Sequence, residues 1–174
     1  LYVTQNSSNF FYRVTRIIPV PVASVDGSYV RFSDYLMMLS GSRHYLEQSE
    51  RVDLNSPDGQ RQLDYMKRKA LDSAVADAYA EKVATEKGIQ VSDDEVNKVI
   101  QSSLNTVTGK ISQEVYNDST YSTLGYTPDE YKHIIKQSLI RQKVAYALDE
   151  KALAVKNTAE KMIATKKSIK LSAN

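Results

Sequence analysis

The sequence predicts a mainly α-helical domain with an extended N-terminal arm and a short β-hairpin. Apolar residues recur every three or four positions over long stretches, as they do on the buried face of a helix. Three polar segments, at Ser56-Pro57, Ser92 to Glu95 and Thr127-Pro128, have the composition of helix starts. The pair Asp26-Gly27 lies between two short apolar runs, which is typical of a hairpin turn.

The first 21 residues are predicted to form an extended arm or tether. Thr4 to Asn9 is polar and linker-like, whereas Val14 to Val20 is apolar and rich in residues that favour strands. Pro19 and Pro21 fix the backbone and prevent a helix from crossing them. The predicted hairpin follows from Val22 to Val30.

A helix of about a dozen residues is predicted after the hairpin, with Ser33 as its N-cap. Its apolar face is expected to carry Tyr35, Leu36 and Leu39, and Gly41 weakens its middle. Residues 47–56 are polar and are predicted to form a loop.

The longest helix is predicted to start at Ser56-Pro57 and to end at Gly88, a residue type that favours the left-handed conformation after a helix. Ser92 to Glu95 then forms a capping box, in which serine and glutamate each bond the other's backbone amide. The apolar faces of these two helices are expected to contain Leu63, Met66, Ala70, Leu71, Ala74, Val75, Ala78, Tyr79 and Val83, then Val96, Val99, Ile100 and Leu104.

Residues 105–126 are interrupted by glycine, asparagine and aspartate, and a short helix is predicted around Ser112 to Tyr116. Thr127-Pro128 opens a further helix by combining a proline with a second capping box. A last helical segment over residues 151–174 is expected to pack on the domain or to extend it.

The order of these signals resembles the N-terminal domain shared by SurA, PrsA and related parvulin-associated chaperones. The matching stretches are Val22 to Tyr35, Leu63 to Val99 and Leu124 to Leu148, which include Lys-Gly-Ile-Gln-Val-Ser-Asp-Asp-Glu-Val and Leu-Gly-Tyr-Thr-Pro-Asp-Glu-Tyr. The resemblance divides the chain into a tether at 1–21, a SurA-like peptide-binding domain at 22–150 and a C-terminal helix at 151–174.

The resemblance implies an ATP-independent chaperone, a holdase, that binds unfolded or extended polypeptide clients outside the cytoplasm. It implies a location in the periplasm or at the cell-envelope surface. The chain starts at Leu1 rather than at methionine, so we expect a processed product and an anchor that precedes the tether. Two alternatives stay open: the non-catalytic portion of a peptidyl-prolyl isomerase, and a scaffold or dimerisation module for one dedicated partner.

The sequence gives no indication of enzymatic chemistry. The net charge of +2 comes from interleaved acids and bases, which disfavours nucleic acid as a partner. Cysteine is absent, so thiolate ligands and nucleophiles are excluded. His44 and His133 are interpreted as exposed helix residues rather than as a metal or acid–base pair, because no third ligand has a fixed spacing to them. We therefore predict no catalytic residue, no metal site, no cofactor and no enzyme, and the resemblance adds no counterpart of a parvulin domain.

Tyrosine is unusually frequent, with 12 tyrosines against 3 phenylalanines and no tryptophan. A tyrosine combines an apolar ring with a polar tip, and methionine adapts to varied partners. The predicted client-binding residues are Tyr35, Met37, Met38, Tyr45, Tyr121 and Tyr126. The alternative is that these tyrosines only cover a small helical core. The arm over residues 10–25 could also pair with a strand near the C-terminus or with an edge of another chain, so a swapped or strand-paired homodimer is an expectation.

Overall fold

A computed structural model describes residues 9–18, 20–106, 109–149, 153–154 and 157. Its described part is mainly helical and contains a β-hairpin, so the predicted fold class is confirmed. The elements in chain order are α1 (Asn9–Ile17), β1 (Pro21–Val25), β2 (Ser28–Arg31), α2 (Phe32–His44), a π-helical turn (Tyr45–Ser49), α3 (Pro57–Glu86), α4 (Asp93–Ser103), β3 (Asn105–Thr106), β4 (Gly109–Lys110), α5 (Gln113–Leu124) and α6 (Pro128–Leu148).

The prediction of an extended arm is wrong for residues 9–17, which form α1. The segment lacks internal glycine and proline, and its bulky residues have only weak intrinsic strand preferences, which tertiary packing overrides. Helix α1 packs against α2, and Thr15 is buried there. Pro19 limits the helix only at its C-terminal end, because a proline disfavours helical geometry in the residue before it.

The predicted hairpin is confirmed, and its Asp26-Gly27 turn has positive φ at both residues. Strand β2 runs directly into α2, so the prediction of Ser33 as N-cap is wrong. Arg31 occupies the cap position, but its side chain makes no capping hydrogen bond. Phe32 instead donates its backbone N–H to the carbonyl oxygen of Val20 at 2.8 Å. The hairpin backbone therefore satisfies a first-turn amide that a capping side chain would otherwise bond.

Helix α3 is the central element and contacts α2, α6 and both strands of the hairpin. It starts where predicted, with the Ser56 hydroxyl accepting from Gly59 N–H at 3.0 Å, and it ends before Gly88, which has φ of +65°. The buried face of this helix is rich in alanine, which lets neighbouring helices approach closely: Ala70, Ala74, Ala80 and Ala84.

Two capping boxes position the C-terminal half, and both were predicted. The side chains of Ser92 and Glu95 open α4, and those of Thr127 and Glu130 open α6. Helix α5 is longer than predicted and ends at Gly125 in the left-handed conformation. Helix α4 packs on α6 around a core of Val91, Val96, Ile100 and Ile135, and α3 meets α6 around Val83, Ala84 and Val144.

The predicted C-terminal helix over 151–174 falls almost entirely outside the described residues. Three positions of that segment are described, namely 153, 154 and 157, and they are helical.

Candidate functional site

Three of the six predicted client-binding residues meet in one cleft between α2, α3 and α6. Met37 and Met38 come from α2, and Tyr126 comes from the link between α5 and α6. We call this space the Met–Tyr cleft; it has a volume of about 230 Å3 and is lined by Met37, Met38, Ser42, Lys69, Ala70, Ser73, Asp77, Tyr126, Ile134, Gln137 and Arg141. This volume is smaller than that of ordinary small-molecule sites.

Tyr126 enters the Met–Tyr cleft because residue 41 of α2 is a glycine. A Cβ at Gly41 would overlap the ring and the hydroxyl of Tyr126. A Cβ at Gly125, the preceding residue, would overlap the side chain of His44, and the φ of +74° at this position also favours glycine. Burial raises the pKa of the Tyr126 hydroxyl, so this group stays neutral and can act as a hydrogen-bond donor or acceptor.

The floor of the Met–Tyr cleft is polar although it lies in the α3–α6 interface. Asp77 and Gln137 are each only 3% exposed. The Oδ1 atom of Asp77 lies 3.2 Å from Nε of Arg141, yet no donor hydrogen of the described residues is directed at it. Burial raises the pKa of Asp77, and the guanidinium of Arg141 opposes that rise.

Gln137 has one satisfied and one unsatisfied end. Its Nε2 donates to Oε1 of Glu81 at 2.5 Å, whereas its own Oε1 has no donor among the described residues. The carboxylate of Glu81 can only accept, which fixes the orientation of the amide and leaves its oxygen facing away from Glu81. Asp77 Oδ1 and Gln137 Oε1 are therefore both closed to solvent, and the described residues direct no donor hydrogen at either oxygen, an uncommon arrangement in a native protein.

The other three predicted residues lie outside the Met–Tyr cleft. Tyr35 is half-buried and stacks on Phe32 with ring centroids 5.8 Å apart. Tyr45 is in the π-helical turn, and its hydroxyl donates to Glu50 at 2.5 Å. Tyr121 on α5 is 58% exposed and lies 6.2 Å from His44, ring centroid to ring centroid. Three of the six predicted residues therefore do not line the Met–Tyr cleft.

A second cavity of about 440 Å3 is lined by residues of α1, α2 and α6, and we call it the polar cavity. Tyr12 of α1 donates to Glu130 of α6 at its edge. Across it, Nε2 of His133 lies 3.5 Å from Oδ1 of Asp34. Met37 borders both the polar cavity and the Met–Tyr cleft.

The interpretation of both histidines as exposed is wrong, because both are half-buried. His133 pairs with Asp34, and a ring nitrogen of His44 lies 2.9 Å from the carbonyl of Ser122. They occupy different parts of the molecule. Among the described residues, no group of three or more histidine, aspartate or glutamate side chains could hold a metal ion.

Comparison with known families identifies the relatives of this chain. The model of the SurA-like N-terminal domain matches residues 4–145, which is most of the chain. The chain belongs to the SurA-like N-terminal domain family. No parvulin domain is matched in this SurA-like chain, and the SurA N-terminal domain is the non-catalytic part of the family. Neither a curated protein nor a solved structure gives a significant match.

Sequence reasoning missed the polar floor of this SurA-like domain. Asp77 follows Ala74 at helical spacing on α3, and Gln137 follows Ile134 in the same way on α6. A polar residue in register with an apolar face was the available signal, since such a side chain must either be paired or serve another group. The sequence does not show that α3 and α6 pack against each other.

None of the described helices of this SurA-like domain is both long enough and apolar enough to cross a bilayer.

Proposed function

We propose that the chain is the client-binding domain of an ATP-independent, extracytoplasmic holdase that takes unfolded polypeptide segments into the Met–Tyr cleft. The observation that carries the proposal is the meeting of Met37, Met38 and Tyr126 in a concave space between three helices. Methionine adapts to different partners, and tyrosine adds contact area with few rotatable bonds. Membership of a chaperone-associated family supports the same reading.

The size of the cleft agrees with weak and reversible binding. A cleft of about 230 Å3 accepts one or two client side chains at a time. Burying one apolar side chain contributes about 1.5–3 kcal/mol, and ordering of the client opposes it. Two such side chains contribute at most about 6 kcal/mol, which corresponds to a dissociation constant of about 40 μM, so clients leave without an energy source.

A scaffold for one dedicated partner is the less favoured candidate. Such a module would use an apolar stripe along one element. The exposed large apolar side chains are instead distributed over several elements and include Ile17 on α1, Tyr29 on β2, Tyr65 and Tyr79 on α3, Val115 and Tyr121 on α5, and Leu148 on α6. This distribution favours a surface that meets varied clients over one that is built for a single partner.

The test is the suppression of aggregation of an unfolded model client, without nucleotide, at increasing molar ratios of this domain. We expect dose-dependent protection near stoichiometric amounts, because each domain offers one Met–Tyr cleft. Met38→Gln keeps the size of the side chain but makes the cleft wall polar, so several-fold more protein should be needed. Met66→Gln makes the same change at a half-buried site of α3 outside the cleft and should protect like the wild type.

Absence of protection by a folded wild-type domain would contradict the holdase proposal. The assay would then favour a module for a dedicated partner, or the non-catalytic portion of a prolyl isomerase. Parvulin sequence downstream in the complete reading frame would identify the latter.

A further inference from the structure

The charged side chains around the Met–Tyr cleft indicate which client segments it prefers. Two of the charged residues that line the cleft are basic, Lys69 of α3 and Arg141 of α6, and one is acidic, Asp77 of α3. These side chains differ in burial and in the ion pairs that they already form. Both properties determine which charge a bound polypeptide meets.

The acidic residue is withdrawn from the opening of the cleft. The side chain of Asp77 is only 5% exposed, and its Oδ1 atom lies 3.2 Å from Nε of Arg141. The side chain of Arg141 is 43% exposed, and the terminal nitrogens of a guanidinium carry further donor hydrogens that are not part of the contact through Nε. The buried carboxylate is therefore compensated, and the cation is the part of this pair that faces solvent.

Lys69 supplies a second cation at an exposed position of α3. Its Nζ atom lies 5.6 Å from the ring centroid of Tyr65, one turn earlier on the same helix, and no carboxylate of the described residues pairs with it. An aromatic ring attracts a cation but does not neutralise it. The charge of Lys69 is therefore available to a bound segment.

A carboxylate is the client group that fits two solvent-facing cations beside an apolar wall. In an extended chain, side chains two residues apart point to the same face and lie about 7 Å from each other. When an apolar side chain enters the cleft, the side chain two residues away therefore lies near its rim. An acidic side chain there meets Lys69 and Arg141, whereas a basic one meets like charges.

We propose that the Met–Tyr cleft prefers client segments in which an acidic side chain lies two residues from the apolar side chain that enters the cleft. The inference rests on the proposed client binding and adds a charge specificity to it. Met38 and Tyr126 give general affinity for apolar side chains, and the two cations distinguish acidic from neutral or basic neighbours. Lys69 and Arg141 are then specificity-determining residues.

The experiment compares two blocked peptides in NMR titrations of the 15N-labelled domain near neutral pH. Both peptides have a central leucine, and the residues two positions before and after it are glutamate in one peptide and glutamine in the other. For the wild type at about 20 mM salt we expect the glutamate peptide to bind about five-fold more tightly, and this ratio should approach one at about 500 mM salt because exposed charges are screened. The amides that shift should include those of Met38 and Ser73, which line the cleft.

Two variants with the same change in net charge separate the cleft from the rest of the surface. Lys69→Glu replaces a cation of the cleft by an anion and should abolish or reverse the glutamate preference. Lys98→Glu makes the same change at an exposed site of α4 and should keep most of the wild-type ratio. Arg141 is left unchanged, because its loss would leave Asp77 buried without its cation.

Denaturant unfolding checks that both variants retain the fold. A folded Lys69→Glu domain that keeps the wild-type glutamate preference would overturn the inference. An equal fall of the preference in both variants would overturn it as well, because the preference would then come from the overall charge of the domain.

The failure of this inference is distinguishable from that of the holdase proposal. Equal binding of both peptides by a wild type that suppresses aggregation would overturn the charge specificity and leave the holdase function standing. The same holds if neither peptide binds to a wild type that suppresses aggregation. A glutamate preference that Lys69→Glu abolishes and Lys98→Glu keeps would support the inference even where the aggregation assay shows no protection.

Discussion

Gly41 of α2 determines how Tyr126 is held in the Met–Tyr cleft. Glycine inside a helix ordinarily lowers stability by about 0.5–1 kcal/mol relative to alanine. Here the position is buried, and a Cβ would occupy the space of the Tyr126 ring. Glycine at this position therefore lowers the intrinsic stability of α2, but it leaves room for Tyr126 of the α5–α6 link to pack against the helix.

Gly41→Ala tests this exchange. We expect a loss of about 1–3 kcal/mol in the free energy of unfolding, because the ring of Tyr126 must shift in an already packed site. Urea denaturation of the variant and the wild type measures the difference.

The matched background is Tyr126→Ala, which removes the ring that the new methyl group would meet. In that background Gly41→Ala should stabilise the protein by about 0.5–1 kcal/mol through helix propensity alone. An equal loss of stability in both backgrounds would show that Tyr126 is not the reason for the glycine.

The candidate site was only partly predictable from single residues. Met37, Met38 and Tyr126 were selected by residue type, and the packing of α5 against α2 and of α6 against α3 brings them together. Tyr35 and Tyr121 have the same chemistry but project elsewhere, because their positions on α2 and α5 differ from those of the cleft residues. Residue type is readable in sequence, whereas the long-range pairing of faces that forms a cleft is not.

At the scale of elements, the capping-box glutamate of α4 also forms an ion pair with α6. Glu95 bonds the backbone N–H of Ser92 at 2.9 Å and also receives Lys143 of α6 at 2.6 Å. Lys143 further donates to the carbonyl of Gln90 at 2.7 Å, in the link before α4. The bond from Lys143, followed by that from Ser92, lowers the pKa of Glu95 from 4.5 to about 2.

The lowered pKa predicts an acid-dependent contribution to stability. A carboxyl whose pKa falls on folding stabilises the protein above its unfolded pKa, and the effect is lost as the pH falls towards the folded value. Glu95→Gln should therefore lower the thermal midpoint at pH 7, and the gap to wild type should close between about pH 4.5 and about pH 2. Thermal melts across this range measure it.

Asp94→Asn is the control for this pH dependence, since it removes an exposed acid from the same helical turn. The difference between its thermal midpoint and that of the wild type should stay the same from about pH 7 to about pH 2. A Glu95→Gln variant whose gap to wild type is the same at every pH would contradict the role assigned to the carboxylate.

Elements with local start signals were the predictable part of the fold. Ser56-Pro57, Ser92 and Thr127-Pro128 each satisfy free amides within one turn, so their helices are specified by neighbouring residues. Helix α1 packs on α2, and a local interpretation of the sequence does not include that contact. The start of α2 was misplaced for the related reason that the distant Val20 carbonyl bonds its first residue.

At the scale of the whole molecule, α1 contacts two other elements. It packs on α2, and Tyr12 donates its hydroxyl to Glu130 at the start of α6. Burial alone would raise the pKa of Glu130, but the hydrogen bonds from Tyr12 and Thr127 outweigh it and leave that pKa below its ordinary value. Tyr12 also borders both the polar cavity and a neighbouring cavity of about 260 Å3 that reaches Leu36, Leu39 and Leu63.

Tyr12→Phe should release α1 while leaving the rest of the domain folded. The lost bond ends on a carboxylate, and such bonds contribute about 1.5–3 kcal/mol, which is enough to increase local opening of a short helix at least ten-fold. We expect hydrogen exchange in α1 to accelerate by that factor, whereas amides in the middle of α3 keep their protection, because α3 packs on α2, α6 and the hairpin. Tyr29→Phe removes the hydroxyl of an exposed tyrosine on β2 and should change neither rate. If Tyr12→Phe accelerated exchange in α1 and α3 equally, α1 would be part of the global folding unit rather than a separately opening segment above the two cavities.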